Sequence, residues 1–520
     1  MLFMSKSQKK MRNFLLALCF TILVTTQHEL AATPRNVILF IGDGMGPQQI
    51  GLLSLYARKA PNSIYAGRES FLDIAINRSS LGLMQVDPHS SLVVDSACSI
   101  TQITSGKACE SESLGKDANG ADLSSILVES QKLGKSVGLV SDTRITHATP
   151  AGAFAHQNHR SNEDQIAEQL LKANPDLILS SGLANFLNTD ELKKYYSGKI
   201  TRSRNDAQDL LKLAKANNYQ IATKRSEFEN IFDGKLLGLF GARSLPDAIT
   251  ENNVLQSSER DWPTLSEMTR KSLSILEKDK DGFFLMVEAG QIDWAGHDND
   301  AGLLLHEMLR MDKALAEILS WIQNRNDTLL IITADHETGG FGFSYMAAKE
   351  AGKTSFAMGN STRQDSNFLS PTILDSLYQQ RKSLRNILEE FDELPAIDRT
   401  AHNLMLLFNK YSFFKIKLED AERILKKEKN RFFTAGHKYL SEAFVPKISD
   451  FSAFYSDPIS RRTAIFSRIV SEQSGVVWAS GGHTSTPVVV AALGTDKENF
   501  AGSYHATELG QRMLKVLRGE

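Results

Sequence analysis

The stretch Phe283-Phe-Leu-Met-Val287, continued by Glu288-Ala-Gly-Gln-Ile-Asp293-Trp-Ala-Gly-His297, carries both a fold signal and a chemical one. Five apolar residues without a polar interruption read as a buried strand. The strand ends directly at a carboxylate, Glu288. Asp293 and His297 follow at a four-residue spacing, which on a helical turn places carboxylate and imidazole on one face. The pattern recurs after a second apolar run, Leu329-Leu-Ile-Ile-Thr333, which gives way to Asp335-His336. A single Asp or His at such a position usually caps a loop. Two ligand-rich clusters at strand ends favour a metal site instead. Carboxylates mixed with imidazoles suit zinc, and magnesium suits a position where only oxygens converge.

Similar apolar runs occur at Asn36-Val-Ile-Leu-Phe-Ile41, which stops at Gly42-Asp43-Gly44, and at 136–140, 176–179 and 487–492. Between them, amphipathic segments such as 163–173, 264–278 and 302–323 read as helices. Strands alternating with helices predict a doubly wound α/β fold, its central sheet mostly parallel and flanked by helices. In that architecture polar residues just past the strand carboxyl ends line the site. Asp43, Glu288, Asp335 and His336 all stand there. Residues 341–474 have few strand-like runs, and helices are expected near 374–391 and 417–432. The interval reads as a largely helical insertion before the last sheet strand, with the dense charge of 415–429 facing solvent.

The 520 residues are 42% hydrophobic and 23% charged, ordinary values for a globular protein with a large core. A formal charge of −2 gives no electrostatic case for a nucleic-acid partner. Lys6, Lys9, Lys10 and Arg12 precede the apolar run Phe14–Val24, which is short for a bilayer span. Residues 1–32 therefore read as an export signal with a cleavage site near Ala31-Ala32, an uncleaved anchor being the alternative. Removal would leave residues 33–520 as the catalytic domain, without a stable membrane span and with a charge of about −5. Cys98 and Cys109 would then remain. Placed along one helix they would stand about 16 Å apart, too far to bridge. Export without a structural disulfide is the expectation.

Val93-Val94-Asp95-Ser96-Ala97 moves from a β-branched run into a small-residue helix ending near Gly106. Ser96 would lie at that helix N-terminus, where free N–H groups attract anions. A serine there is most often an N-cap. A neighbouring metal could instead activate it as a nucleophile. Arg160 precedes a capping-box pattern, Ser161 and Asp164, so it should project from another helix start and could grip two phosphate oxygens. A surface salt bridge is the plain alternative. His156 and His159 read as structural or surface residues. Gly106-Lys107-Ala108 lacks the rest of a P-loop, no Gly-x-Ser-x-Gly surrounds Ser96, and His-Glu-x-x-His is absent.

Taken together, Ile41–Gly46, Asp95-Ser96-Ala97, His147-Ala-Thr149-Pro, Arg160, Glu288–His297, Thr333–Gly340 and Gly482-His483-Thr484 resemble the alkaline phosphatase family, in that family's order. The resemblance implies hydrolysis of small phosphate monoesters through a phosphoseryl intermediate, with Ser96 as nucleophile and Arg160 on the phosphate. It implies two zinc ions, one held by Asp293, His297 and His483 and the other by Asp43, Asp335 and His336. A third metal, usually magnesium, would take Asp43, Thr149 and Glu288. Two positions depart from the best-known bacterial pattern. His147 stands where many members carry Asp, so zinc or cobalt could replace magnesium. Trp294 stands where many carry Lys or His, so phosphate should be held more loosely. The family also implies a homodimer, and a periplasmic or extracellular location. The rival readings are a phosphodiesterase of the same superfamily and a non-catalytic exported metal- or phosphate-binding protein.

Overall fold

Seven consecutive buried residues, Asn36–Gly42 (β1), form the middle of the sheet and explain why the run shows no polar alternation. The computed structural model describes residues 33–520 apart from 197, 199, 207, 259, 353–363, 438–439 and 448–457. The expected export signal, 1–32, lies outside the described residues. The other sheet strands are Ser80–Gln85 (β2), Ser136–Arg144 (β3), Leu177–Ser181 (β4), Gln220–Ala222 (β5), Leu236–Leu239 (β6), Phe283–Ala289 (β7), Thr328–Thr333 (β8), Val488–Gly494 (β9) and Gly502–His505 (β10). Their spatial order is β10-β2-β9-β8-β1-β7-β3-β4-β6-β5. Every pairing is parallel except those of β9, which runs antiparallel to both β2 and β8.

The doubly wound, mostly parallel sheet flanked by helices is as the sequence predicts. Four strands were not legible in it. β5 has only three residues, β6 is interrupted by Gly238, β2 is half exposed in alternation, and β10 lies on the sheet edge. The sheet therefore does not end with the strand at 488–494, because β10 follows it.

The helices that position the site are Pro47–Lys59 (α1), Ser96–Ser105 (α2), Glu163–Ala173 (α3), Leu265–Leu276 (α4), Gln291–His297 (α5) and Ala301–Ile322 (α6). α4 and α6 pack on each other, and α4 covers β3. Phe283, Phe284 and Leu285 of β7 are fully buried beneath them. Each such side chain contributes about 1.5–3 kcal/mol.

Three local expectations are corrected. The segment expected as one helix at 374–391 breaks into Thr372–Tyr378 and Leu384–Glu393. The one expected at 417–432 stops at Leu425, and Lys427–Lys429 pairs as a strand with Phe444–Pro446. Cys98 and Cys109 are disulfide-bonded, with Cα atoms 5.6 Å apart. The helical estimate failed because α2 ends at Ser105. Gly106 adopts the left-handed conformation with φ 71° and turns the chain back along the helix.

No helix of the described residues is long and apolar enough to cross a membrane. Among the described residues of 341–474, Arg385 and Ser460 both bond Asp298, and Gln380 bonds Asp300. These contacts tie the interval to the turn just after α5.

Candidate active site

The parallel strands deliver their carboxyl ends to one edge of the sheet, and the predicted ligands collect there. Asp43 follows β1, Glu288 lies at the end of β7, and Asp335 lies two residues past β8. β9 runs the other way, so its amino end reaches the same edge and brings His483 with it. Gly44 has φ +74°, and a Cβ there would stand 2.8 Å from Asp293 Cα. Only glycine lets the Asp43 turn approach α5 this closely.

Three groups of ligand-type atoms form, each with its atoms within 4.8 Å of one another. The first is Asp293, His297 and His483. His297 Nδ1 lies 2.7 Å from the Gly481 carbonyl and His483 Nδ1 lies 2.8 Å from that of Val94. Both bonds turn Nε2 inward. His297 Nε2 is 3.3 Å from Asp293 Oδ2, and His483 Nε2 is 3.5 Å from Asp293 Oδ1. This is the arrangement by which a backbone carbonyl orients a metal-ligating imidazole.

The second group is Asp43, Asp335 and His336, all fully buried. His336 Nε2 lies 3.2 Å from Asp335 Oδ2, 3.5 Å from Asp43 Oδ1 and 3.1 Å from Ser96 Oγ. Gly44 N–H donates to Asp335 Oδ1 at 3.1 Å. The third group is Asp43, His147 and Glu288. The Thr149 hydroxyl donates to Asp43 Oδ2 at 3.3 Å, and the Ser141 and Thr143 hydroxyls donate to Glu288 Oε2. His147, expected only beside this group, contributes an atom to it: its Nδ1 lies 3.9 Å from Glu288 Oε1.

The electrostatics fit divalent cations. Asp43 Oδ1, Asp335 Oδ2, Glu288 Oε1 and His147 Nδ1 are buried without any hydrogen-bond partner. Burial, then repulsion from Asp335 and Asp293, pushes the Asp43 carboxyl well above its ordinary range. Burial followed by Asp293 raises Asp335 to about 7, and burial lowers His336 to about 4. Burial likewise lowers His483 to about 3. His297 moves the other way, because Asp293 outweighs the opposing effect of burial and raises it to about 9. Buried carboxylates this crowded are costly unless a cation sits among them. All three groups mix carboxylate oxygens with imidazole nitrogen, and the third also has the Thr149 hydroxyl beside it, a donor set that suits hard and borderline divalent ions.

Ser96 is the first residue of α2, and its cap is Asp95, which accepts the N–H groups of Ala97 and Cys98. Ser96 is thus spared the capping role, and its hydroxyl lies beside His336 instead. Arg160 Nη1 donates to Asp95 Oδ2 at 2.9 Å, and its Nη2 lies 3.2 Å from His147 Nε2. Arg160 does not stand at a helix start as expected. α3 begins at Glu163 without a side-chain cap, and no capping box forms there. Backbone pairing holds Arg160 instead, its N–H donating to the Glu112 carbonyl at 2.8 Å. The Trp294 ring lies edge-on to His147, with centroids 5.9 Å apart. His156 bonds the Leu123 carbonyl and His159 pairs with Glu112, both apart from the three groups.

Sequence reasoning passed over Asp95 and Thr338. The Thr338 hydroxyl donates to Asp293 Oδ1 at 2.5 Å and lies 3.3 Å from His336 Nδ1, joining two groups. Its position two residues after His336 was the available signal.

The sequence model of the alkaline phosphatase family matches residues 34–518. Alkaline phosphatase 3 of Bacillus subtilis is 27% identical over 497 residues, which cover 93% of this chain and 89% of that protein. The repressible alkaline phosphatase of Saccharomyces cerevisiae is 26% identical over 516 residues, covering 93% and 81%. The crystal structure of Thermus thermophilus alkaline phosphatase superposes with a TM-score of 0.75 at 25% identity, covering 95% of each chain. The match runs from the first sheet strand to the last helix, and the chain belongs to the alkaline phosphatase family, metal-dependent enzymes that act on phosphate monoesters.

Proposed function

We propose that the chain hydrolyses small phosphate monoesters to an alcohol and inorganic phosphate, with Ser96 as the nucleophile. The observation that carries this is the Ser96 hydroxyl lying beside His336 at a helix N-terminus, next to buried carboxylate oxygens that lack partners. Asp293, His297 and His483 would hold one zinc ion. Asp43, Asp335 and His336 would hold a second. Asp43, Thr149 and Glu288 would hold magnesium, and His147 beside them would let zinc or cobalt take its place. Bound there, such ions supply Lewis acidity and offset negative charge on phosphate oxygens.

The chain's own residues do the rest. Ser96 Oγ attacks phosphorus as the ester oxygen departs, giving a phosphoseryl ester that water then hydrolyses. Two inversions give overall retention at phosphorus. Arg160, fixed by Asp95, directs guanidinium N–H groups at the phosphate oxygens. The positive end of the α2 dipole favours the same negative charge.

The reading extends to export into the periplasm or beyond, with residues 1–32 removed. The apolar segment behind four cationic residues supports this, as does a disulfide, which persists in oxidising compartments. It also includes residues 341–474 as an insertion in a single catalytic domain, and a homodimer.

Metal stoichiometry measured together with aryl phosphate turnover tests the proposal on the wild type and Ser96→Ala. The expectation is three divalent ions per chain in both proteins and loss of turnover in the variant alone. Full activity of Ser96→Ala, or faster turnover of a diester than of a monoester, overturns it.

A further inference from the structure

We propose that Glu337, which belongs to none of the three ligand groups, is the positioning residue that sets the first two groups in register and balances their cations. Glu337 is 2% exposed, and its carboxylate joins three segments. Oε1 accepts Gln49 Nε2 at 2.7 Å, from the helix that follows the Asp43 turn. Oε1 and Oε2 both accept Gly340 N–H, at 2.9 and 3.2 Å, closing the turn after Asp335-His336. Oε2 also accepts the Thr484 hydroxyl, from the residue after His483. Backbone pairing of Thr484 with Glu337 and His483 with Thr338 puts the carboxylate in the same two-stranded ribbon as His483. A Cβ on Gly46 would stand 2.2 Å from Glu337 Cγ, so the Asp43 loop is shaped around this side chain.

All these donors are neutral. No Lys, Arg or His forms an ion pair with Glu337 among the described residues. A buried carboxylate without a cationic partner is expensive unless charge lies close by. His336 directly precedes it and Asp335 stands two residues before it, so the charge available to it is that of the ions those groups would hold. Outer carboxylates of this kind typically alter metal affinity by about 10–100-fold when removed.

This inference rests on the proposed zinc groups, and a zinc titration of metal-stripped protein, read by bound zinc rather than turnover, separates the two. Glu337→Gln keeps the shape and removes the charge. It should raise the free-zinc midpoint about 10–100-fold, while metal-stripped variant and wild type melt together and excess zinc restores turnover. Thr484→Val, which deletes one hydrogen bond, should raise the midpoint less and serves if Glu337→Gln fails to fold. An unchanged zinc midpoint overturns the role of Glu337. Failure of the wild type to bind zinc overturns the ligand assignment instead.

Discussion

His297 and His483, 186 residues apart in the chain, face each other through their Nε2 atoms at 3.2 Å. Each ring has already committed Nδ1 to a backbone carbonyl. With Nδ1–H donating, Nε2 of each neutral ring turns its lone pair inward, and without a cation Asp293 favours a proton on His297. A cation between the rings and Asp293 takes the place of that proton and is coordinated by both rings. His483→Ala should therefore reduce tightly held zinc by one ion per chain and lower the melting temperature of the metal-loaded protein only. An ion present at 100 times its dissociation constant contributes about 2.7 kcal/mol, so the loss should be plain by calorimetry. Unchanged zinc content in the variant would remove His483 from the site.

The third group makes a different prediction. His147 offers a neutral nitrogen where a carboxylate would add negative charge, and burial pushes its protonation well below the ordinary imidazole range. Magnesium prefers oxygen ligands and dehydrates reluctantly. His147→Asp should shift occupancy from zinc or cobalt towards magnesium after dialysis against mixed ions. At position 294, beside His147, Trp294→Lys would place an ammonium near the proposed phosphate site and should tighten inhibition by phosphate about tenfold, or roughly 1.4 kcal/mol. An unchanged inhibition constant would show that position 294 does not reach bound phosphate.

What could be read from the chain, and what could not, follows a physical division. β1, β7 and β8 are buried on both faces, so their sequences run apolar without interruption and their ends mark Asp43, Glu288 and Asp335. These residues follow from local pattern alone. His483 does not, because its place depends on β9 running against its neighbours, a property of tertiary pairing. Asp95, Thr338 and Glu337 were passed over for a similar reason. Asp95 reads as an ordinary helix cap, and Glu337 and Thr338 form too short a strand to show a pattern, until their distant partners are known. The cysteines were misread because a helix was extended through Gly106, where the chain in fact reverses.

Glu163 gives a prediction in pH. Its nearly buried side chain accepts Arg144 Nε at 2.7 Å and Nη2 at 3.0 Å, with Arg202 at 3.3 Å. Burial opposes its ionisation, yet Arg144 prevails and holds the carboxyl near 2 against an ordinary 4.5. The folded value is the lower one, so this stabilisation is complete above pH 4.5 and is lost as pH falls towards 2. A shift of this size corresponds to about 3 kcal/mol at most. Metal-stripped Glu163→Gln should melt below metal-stripped wild type at pH 7, with the gap closing as pH drops from 5 to 3. A gap that stays constant through that window would assign the effect to packing rather than charge.

The disulfide lies close to the contacts that hold Arg160, the residue proposed to bind phosphate. Cys98 lies in α2, two residues after Ser96, and Cys109 leads into Glu112. Glu112 N–H donates to Asp95 Oδ1 at 2.7 Å, and its carbonyl accepts Arg160 N–H at 2.8 Å. Glu112 itself sits at φ 65°, a conformation that a side chain disfavours and that its surroundings must impose. Closing an 11-residue separation is worth about 2–3 kcal/mol in the chain-entropy account. Replacing both cysteines with alanine should therefore cost that much stability. It should also loosen the strap that sets Asp95 and Arg160. If Arg160 grips phosphate oxygens in substrate and transition state alike, as proposed, KM and the phosphate inhibition constant should rise while kcat changes less. Steady-state kinetics of the double variant below its melting range decide the matter. A lowered melting temperature with an unchanged KM would confine the bond to stability and leave Arg160 held by Asp95 alone.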